Sequence, residues 1–276
     1  MTVPIALTIA GSDSSGGAGI QADLKTFAAF GVYGASVITA LTAQNTRGVT
    51  GIHPVPPAFV TAQLDAVFDD LDIAAVKIGM VAELAIIKAI AAALARWTPR
   101  HVVLDPVMVA SSGERLLSAE ALASLRNHLI PRATLVTPNL PEAAALLNES
   151  LAPDEATIRK QGRRLLAMGA RAVLIKGGHG QGEESIDYLF SGGGVIALPA
   201  PRIATANTHG TGCSLSSAIA AGLARGETLE SAVRHAKTWI TAAIAAADRL
   251  GVGKGHGPIH HFHGLDLTAA YRQKDA

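Results

Sequence analysis

The sequence predicts an α/β fold in which helices cover both faces of a mostly parallel sheet. Short apolar segments of strand length alternate with longer segments of helical periodicity along the chain. Hydrophobic residues make up 49% of the 276 residues and charged residues only 16%, which supplies enough apolar side chain for a large core. Because no linker or repeat interrupts this alternation, residues 1–276 are expected to form a single domain with its core between residues 5 and 260.

The individual elements follow from apolar runs, prolines and glycines. Pro57 suits the first turn of a helix, where its missing N–H costs no intrahelical hydrogen bond. The glycine run 192–194 indicates the turn of an antiparallel hairpin within residues 185–198. Strands are expected at 4–10, 35–43, 75–78, 101–104, 133–136 and 172–175, and helices at 16–30, 57–71, 82–96, 118–128, 139–148, 154–168, 213–225 and 228–249.

Composition argues against several classes of protein. A formal net charge of +1 without a basic run gives no reason to expect binding to nucleic acid or to an acidic membrane surface. The apolar stretches are rich in alanine and interrupted by charge, so no membrane span is expected. A single cysteine excludes an internal disulfide, and the first residues lack the basic segment of a secretory signal. These features predict a cytoplasmic enzyme.

A glycine-rich loop follows the first predicted strand and opens the first helix. Residues 17–22 (Gly-Ala-Gly-Ile-Gln-Ala) match a dinucleotide-binding fingerprint, but that site needs an acidic residue roughly 20 positions further on. No Asp or Glu occurs between Lys25 and Leu64, which argues against a dinucleotide site. Asp23 and Gln44 could instead present acceptors and donors to an aminopyrimidine-like ring. Alternatively, Asp23 is a solvated acid that favours the helix N-terminus.

The segment 207–214 (Asn-Thr-His-Gly-Thr-Gly-Cys-Ser) precedes an apolar helix. Its glycines let the backbone approach a ligand closely, and the unpaired N–H groups of a first helical turn suit an anion. Cys213, the only cysteine, is expected to have a lowered pKa in the partial positive field of that helix end. This combination suits phosphoryl transfer. From spacing alone, an ordinary glycine turn beside a small buried cysteine explains the segment equally well.

Acidic and basic side chains follow three further strands. Asp105 ends the strand at 101–104 and could bind Mg²⁺. Asn139 and Glu142 have the spacing of a capping box, which explains both without a ligand. Lys176 could neutralise phosphate charge or could be a surface lysine. Ligands of open α/β sheets bind beyond the carboxyl ends of the strands, so these side chains are expected to converge on one crevice. The chain has no P-loop motif that would bind the phosphates instead.

Neither Lys77 nor a cluster of histidines near the C-terminus has a single role that the sequence assigns. Lys77 ends a buried strand and could either anchor a phosphate or pair with Asp72. Histidines cluster near the C-terminus at His256, His260, His261 and His263. Their spacing matches no metal-binding motif, so a solvated or subunit-contact role is favoured over a metal site.

Taken together, these segments resemble the hydroxymethylpyrimidine/phosphomethylpyrimidine kinases of thiamine biosynthesis. The likeness extends without a gap between residues 5 and 260. Its motifs lie at 10–23, 39–46, 77–80, 105–108, 137–139, 209–213 and 253–258. The combination of all seven is far more specific than any one of them.

The resemblance implies a ribokinase-like fold, which is a three-layer α/β/α sandwich with a central mostly parallel sheet, assembled as a homodimer. It implies two successive ATP-dependent transfers, the first to the hydroxymethyl group of 4-amino-5-hydroxymethyl-2-methylpyrimidine and the second to that monophosphate. ATP and Mg²⁺ are the implied cofactors, and the sequence leaves open whether a monovalent cation assists. The implied partners are these small molecules, with no nucleic acid or membrane.

The resemblance also implies roles for individual residues. Gly11, Asp23, Gln44 and Met80 would contact or line the pyrimidine pocket. The nucleotide and its phosphates would be bound by Asp105, Asn139, Glu142, Lys176 and Thr208, with Asp105 and Glu142 around Mg²⁺ either directly or through water. An anion hole formed by Gly210, Thr211, Gly212 and Cys213 would act with Lys176 in catalysis. The Cys213 thiol stands where many ribokinase-like enzymes carry an aspartate base and is expected to accept the hydroxyl proton.

Two other functions are weighed against this one. A pyridoxal kinase of the same superfamily would resemble the dual-cysteine type, which has a second cysteine in a lid. Here that position is Ala110, and Cys213 is the only cysteine. A non-catalytic pyrimidine sensor would be expected to lack Cys213, Asp105 or Lys176, and all three are present.

Overall fold

An eight-stranded sheet forms the centre of the protein, whose computed structural model describes residues 2–108, 117–180 and 182–265. The strands are β1 (Ile5–Ala10), β2 (Tyr33–Ile38), β3 (Ala40–Asn45), β4 (Gly48–Pro54), β5 (Ile73–Ile78), β6 (Val102–Leu104), β7 (Leu135–Val136), β8 (Ala172–Ile175), β9 (Asp187–Ser191) and β10 (Gly194–Leu198). The α-helices are α1 (Gly19–Ala29), α2 (Pro57–Asp70), α3 (Leu84–Trp97), α4 (Ala119–Ser124), α5 (Leu140–Leu147), α6 (Glu155–Leu166), α7 (Thr211–Ala224) and α8 (Leu229–Ala245).

The strand order in the central sheet is β10-β9-β8-β7-β6-β5-β1-β2. The six strands from β8 to β2 are parallel to one another, whereas β9 and β10 are antiparallel to their neighbours. The prediction of a mostly parallel sheet with a late hairpin is therefore confirmed. All parallel strands end at the same edge of the sheet, so the loops that follow them lie close together.

Helices cover both faces of the sheet because successive strand residues face opposite sides. Leu7 and Ile9 of β1 pack in a core with residues of α2 and α3, whereas Ala6 packs in a second core with residues of α7 and α8. The alternation repeats in β6, where Val103 belongs to the second core and its two neighbours to the first. Within the described residues, no helix has the length and apolar character needed to cross a membrane.

The second predicted strand, at 35–43, is divided between two sheets. β2 ends at Ile38, and β3 pairs with β4 in a separate two-stranded antiparallel sheet. At the division, the side-chain amide of Gln63 bonds to both backbone groups of Ile38, accepting from its N–H at 3.0 Å and donating to its carbonyl at 3.1 Å. Because Gln63 lies on α2, far along the chain, the apolar pattern of 35–43 does not reveal the division. The two-stranded sheet projects beyond the carboxyl edge and carries Gln44.

Candidate active site

A cavity of about 830 Å³ lies at the carboxyl ends of the parallel strands. Every site residue predicted from the sequence lines it except Asp23. These lining residues are Gly11, Gln44, Met80, Asp105, Asn139, Glu142, Lys176, Thr208, Gly210, Thr211, Gly212 and Cys213. The structure therefore brings together residues that follow β1, β5, β6, β7 and β8, Gln44 on β3, and the start of α7.

Lys176 lies between two carboxylates in this cavity. Its Nζ atom is 2.7 Å from Asp105 Oδ1 and 3.8 Å from Glu142 Oε2. The Lys176 side chain is only 13% exposed, so it is not the surface lysine of the alternative interpretation. The Thr137 hydroxyl donates to Asp105 Oδ1 at 3.0 Å, which fixes the carboxylate from the end of β7. One buried ammonium group thus offsets the negative charge of two carboxyl groups.

Burial and neighbouring charge separate the pKa values of the two carboxyls. Burial raises the pKa of Glu142 to about 7, since the opposing charge of Lys176 is partly offset by that of Asp105. Burial would also raise the pKa of Asp105, but Lys176 and Lys77 outweigh it and the pKa lies below its ordinary value. Burial would lower the pKa of Lys176, but the two carboxylates raise it instead. At neutral pH Lys176 and Asp105 are charged, and Glu142 is close to its midpoint.

Glu142 also belongs to the capping box that its spacing predicts. Its Oε2 accepts from the Asn139 amide at 2.7 Å, and its own amide donates to Asn139 Oδ1 at 2.8 Å, so both bonds of the box are present at the start of α5. Because the same carboxylate lines the cavity, the structural and the ligand-binding interpretations of Glu142 are compatible.

The start of α7 faces these charges. A Cβ added to Gly212 would lie 3.4 Å from Lys176 Nζ and 3.7 Å from Asp105 Oδ2, so both side chains pack directly against the helix backbone. A helix leaves its first N–H groups without intrahelical partners. Here the Thr211 amide donates to the Thr208 carbonyl at 3.2 Å. That amide is already used, so an anion beside Lys176 would be received by the amides that follow it in the first turn of α7.

Gly210 caps α7 in a left-handed conformation, with φ +79°. An added Cβ there would lie 1.8 Å from the carbonyl oxygen of Gly17. Only glycine satisfies both the backbone angle and this close approach. The glycine-rich loop after β1 and the segment before α7 are therefore interlocked.

The predicted lowering of the Cys213 pKa is wrong. Cys213 is half-buried in the first turn of α7, and burial raises its pKa to about 11. The positive charge of Lys77 opposes this rise, but the negative charges of Asp23 and Asp105 add to it. Desolvation of a thiolate thus outweighs the charge of Lys77 and the hydrogen bond from Gly19 that lower the pKa, so the thiol is protonated at neutral pH in the absence of ligands.

Asp23 does not reach the cavity, so the predicted contact with the pyrimidine is wrong. The Asp23 side chain is 0% exposed and forms an ion pair with Lys77, which is also fully buried. The interpretation of Asp23 as a solvated acid is also wrong, because the side chain is buried. The alternative pairing of Lys77 with Asp72 is wrong as well, because Lys77 pairs with Asp23. Sequence spacing could not reveal the pairing because 54 positions separate the two residues.

Sequence reasoning missed a contact between Asp13 and His209. His209 Nε2 lies 2.9 Å from Asp13 Oδ2, and both side chains are buried. Burial would raise the pKa of Asp13, but hydrogen bonds from His209, Ser15 and backbone amides lower it to about 2. The contact ties the loop after β1 to the segment before α7, and Gln44 Nε2 lies 3.5 Å from the same His209 nitrogen. The signal available was an aspartate inside a Gly/Ser-rich loop.

The other end of the cavity is apolar and was also missed. It is lined by Ile203, Leu215, Ile240 and Ile244. Beside them, Lys237 Nζ lies 2.9 Å from Asp187 Oδ2 and donates to the Ser185 carbonyl at 3.0 Å. In the sequence Leu215, Ile240 and Ile244 follow helical periodicity and are indistinguishable from core positions, whereas Ile203 lies between β10 and α7. An apolar slot joined to a charged region suits a ligand with a flat ring and a polyanionic tail.

Asp105 and Glu142 are suited to a hard divalent cation. Mg²⁺ takes oxygen ligands and is commonly held by one or two carboxylates together with substrate phosphates and water. Within the described parts of the chain, no three His, Cys, Asp or Glu side chains group to hold a metal ion. The positions of Asp105 and Glu142 on either side of Lys176 fit an ion that is shared with a bound phosphate.

Of the C-terminal histidines, His256 lines the cavity, whereas His261 lies behind the first turn of α7. His261 is buried, and its Nε2 lies 2.9 Å from Ser214 Oγ in the first turn of α7. Burial lowers the pKa of His261 to about 4, so the ring is neutral at physiological pH. Ala110 lies outside the described residues.

The family model and the curated relatives in the comparisons point to one family of enzymes. A family model described as phosphomethylpyrimidine kinase matches residues 13–260. The hydroxymethylpyrimidine/phosphomethylpyrimidine kinase of Rhizobium meliloti is 60% identical over 94% of this chain and 97% of its own.

Solved structures share the fold. The phosphomethylpyrimidine kinase of Clostridium difficile has a TM-score of 0.78 at 44% identity, covering 88% of this chain and 100% of its own. The ADP complex of Bacillus subtilis pyridoxal kinase has a TM-score of 0.88 at 37% identity, covering 94% of this chain and 98% of its own. The fold is thus common to both kinds of kinase, whereas the higher sequence identities are to the pyrimidine kinases.

Proposed function

Since the chain belongs to the phosphomethylpyrimidine kinase family, we propose that it transfers a phosphoryl group from ATP to 4-amino-5-hydroxymethyl-2-methylpyrimidine and then to the resulting monophosphate. It is a phosphotransferase of thiamine biosynthesis. The observation that carries the proposal is the contact of Lys176 with Asp105 against the first turn of α7, in a cavity large enough for two substrates.

The cavity offers a separate region to each substrate. The apolar slot beside the Lys237–Asp187 pair suits the adenine ring and ribose, leaving the phosphates to extend toward Lys176. The pyrimidine would lie near Gly11, Gln44 and Met80, where the amide of Gln44 can recognise ring nitrogen and amino groups. The two substrates would then meet at the start of α7, with Asn139 and Thr208 beside the nucleotide phosphates.

Asp105 and Glu142 would hold Mg²⁺, directly or through water. A bound ion would neutralise developing charge on the transferring phosphates. It would also favour the ionised form of Glu142, whose pKa is raised to about 7 by burial. Lys176 and the N–H groups at the start of α7 would stabilise the transferring group, since preorganised donors need no rearrangement during the reaction.

Cys213 would act as proton acceptor for the hydroxyl of the first acceptor. A thiol whose burial raises the pKa to about 11 is protonated in the resting protein and must lose its own proton before it can accept another, but phosphoryl transfer through a loose transition state needs the hydroxyl proton to leave only late. The thiol must therefore be deprotonated during the catalytic cycle or act as a positioning hydrogen-bond partner. The two transfers differ here, because a phosphate acceptor is already anionic and has no hydroxyl proton to lose at neutral pH.

A steady-state comparison of acceptors tests the proposal. ADP formation would be followed with the pyrimidine alcohol, its monophosphate and pyridoxal, each with Mg²⁺ present and absent. The proposal requires the pyrimidine alcohol to exceed pyridoxal in kcat/KM by at least about tenfold, which corresponds to roughly 1.4 kcal/mol in transition-state binding. A preference for pyridoxal would make the chain a pyridoxal kinase, and binding without ADP formation would make it a sensor.

A homodimer and a cytoplasmic location complete the proposal. The two-stranded sheet of β3 and β4 exposes Leu41 at 47% and Ile52 at 42%, and such apolar side chains favour a protein partner. Sedimentation of the purified chain would distinguish a dimer from a monomer.

A further inference from the structure

The buried ion pair between Asp23 and Lys77 takes no part in the steps proposed above. Lys77 Nζ donates to both carboxylate oxygens of Asp23, at 2.9 Å and 2.8 Å. The Thr8 hydroxyl donates to Oδ2 and the Ser217 hydroxyl to Oδ1, both at 2.6 Å. One carboxylate therefore joins β1, β5 and α7 to its own helix, α1.

Stability alone explains such a pair poorly. Removing both charges from water costs free energy that their mutual attraction only roughly offsets, and apolar pairs of similar size are often as stable. The geometry of the pair suggests a different use. An added Cβ at Gly79 would lie 2.7 Å from Lys77 Nζ, so the ammonium is closely enclosed at the carboxyl end of β5, next to the cavity.

The pair lies beneath the part of α7 that carries the thiol. Ser217 follows Cys213 by four positions, so the two side chains project from the same face of the helix, about one turn apart. Because the Ser217 hydroxyl contacts Asp23, that face is fixed to the ion pair. The same helix that carries Asp23 also supplies the backbone amide of Gly19, which donates a hydrogen bond to the Cys213 sulfur.

The charges that face Cys213 come from four elements. Lys77 lies on β5 and Asp23 on α1, whereas Asp105 follows β6 and Lys176 follows β8. Lys77 lowers the pKa of the thiol, and Asp23 and Asp105 raise it. Lys176 is also close enough to the thiol for an electrostatic interaction. The two members of the buried pair thus act on Cys213 with opposite sign.

We propose that Asp23 and Lys77 form a positioning pair, which fixes the first two turns of α7 and places a compensated ammonium beneath Cys213. The proposal rests on the proposed function, in which Cys213 acts on the acceptor. The positive charge of Lys77 stabilises the thiolate of Cys213 once the proton has left. The negative charge of Asp23 partly cancels this stabilisation, so the thiol stays protonated in the resting protein. Neither residue touches a substrate.

Alkylation of Cys213 by iodoacetamide tests the pair, since it is the only cysteine and the thiolate is the reacting form. Substrate-free Lys77→Met is expected to react at least about threefold more slowly than the parent at pH 8, and Asp23→Asn at least about threefold faster. Thr8→Val removes one hydrogen bond and no charge, so its rate is expected within about 1.5-fold of the parent. A merely structural role would move both charge variants in the same direction. Any pattern other than opposite shifts would overturn the proposal.

A double variant that lacks both charges tests the proposal if either single variant fails to fold. Asp23→Leu with Lys77→Met replaces the pair with apolar side chains of similar size and is expected to fold. Its kcat for the pyrimidine alcohol is expected to fall at least about fivefold, with KM for both substrates within about twofold, because only positioning is lost. A parental kcat would contradict the proposal. Since alkylation requires no substrate, its outcome stays separate from whether the parent phosphorylates the pyrimidine.

Discussion

Lys176 Nζ lies 2.7 Å from Asp105 Oδ1, although the two residues are 71 positions apart in the chain. In the sheet, β7 lies between β6, which Asp105 follows, and β8, which Lys176 follows. The lysine side chain therefore spans the end of β7, where it also approaches Glu142. Three neighbouring strand ends thus supply one cation and two acids to the same point, which is the arrangement that phosphoryl transfer requires.

Replacing Lys176 tests the importance of that cation. Lys176→Met is expected to lower kcat roughly 10² to 10³-fold, the range seen when one preorganised donor to a transition state is lost. Lys176→Arg keeps the charge and should recover part of the activity. Lys160→Met, on the exposed side of α6, removes the same charge away from the cavity and serves as the control. Equal kcat values for the two methionine variants would contradict the assigned role.

Replacing Cys213 should separate the two transfers. Cys213→Ala is expected to lower turnover of the pyrimidine alcohol by roughly 10²-fold, with ATP and pyrimidine binding kept. Transfer to the monophosphate should fall only about threefold, because that acceptor has no hydroxyl proton to give up at neutral pH. Parallel steady-state assays of the two acceptors provide the measurement. Equal losses would mean that the thiol positions the acceptor and accepts no proton.

For the alcohol, the raised pKa of Cys213 also predicts a pH profile. Burial raises that pKa to about 11, so kcat/KM of the parent should climb with pH through the range from 7 to 9. The Cys213→Ala variant should lack this rise. A parental profile that is flat over this range would exclude the free thiol as the base.

Glu142 is predicted to destabilise the fold above neutral pH. Its pKa is raised by burial from 4.5 to about 7, so the folded protein binds more protons than the unfolded chain between those values. Stability should therefore increase as pH falls from 8 to 5.5. Glu142→Gln is expected to raise the free energy of unfolding at pH 8 by on the order of 1–3 kcal/mol and to gain much less at pH 5.5.

Urea unfolding at the two pH values measures this effect. Glu184→Gln removes an exposed carboxylate and should show no difference between them. If Glu142→Gln stabilised equally at pH 8 and pH 5.5, the raised pKa would not be the cause.

The sequence sufficed to predict the sheet, its helical layers and the crevice in which the acidic and basic side chains meet, for a definite physical reason. Parallel strands place their carboxyl ends at one edge, so Asp105 and Lys176 could be assigned to one crevice from strand positions alone. Sequence reasoning could not predict which charged and ionisable side chains are buried. Asp23 was expected to face a ligand because it follows the glycine-rich loop and because of the family resemblance, and its remote partner Lys77 left no local signal. The thiol of Cys213 was expected to ionise because desolvation was not counted.

Hydrogen bonds between residues far apart in the chain also could not be predicted from the sequence. The division of 35–43 into β2 and β3 depends on Gln63 of α2, and the link between Asp13 and His209 joins loops 196 positions apart. Neither leaves a local pattern in the sequence. Sequence periodicity also gave no means of separating Ile240 and Ile244 of the apolar slot from ordinary core positions on α8, because both follow the same helical spacing.

A final prediction concerns the glycines near the C-terminus. The amide of Gly255 donates to Thr46 Oγ1 at 3.1 Å, and the amide of His256 donates to the Thr46 carbonyl at 2.9 Å. Two residues further on, the Gly257 amide donates to Asn207 Oδ1 at 2.9 Å. These bonds connect the turn between β3 and β4 with the segment that leads into α7. The two loops that would enclose the pyrimidine are thus fastened to each other.

Gly255→Ala should loosen this connection, because the added Cβ would lie 2.2 Å from the Thr46 carbonyl oxygen, a backbone atom that cannot move alone. The expected cost is about 1–3 kcal/mol of folding stability, as for other overpacked sites. KM for the pyrimidine should rise more than KM for ATP, since Gln44 lies two positions before Thr46. Gly192→Ala, where an added Cβ meets nothing within 4 Å, is the matched control. Thermal unfolding and KM values that match those of this control would show that residues 253–257 do not position the β3–β4 turn.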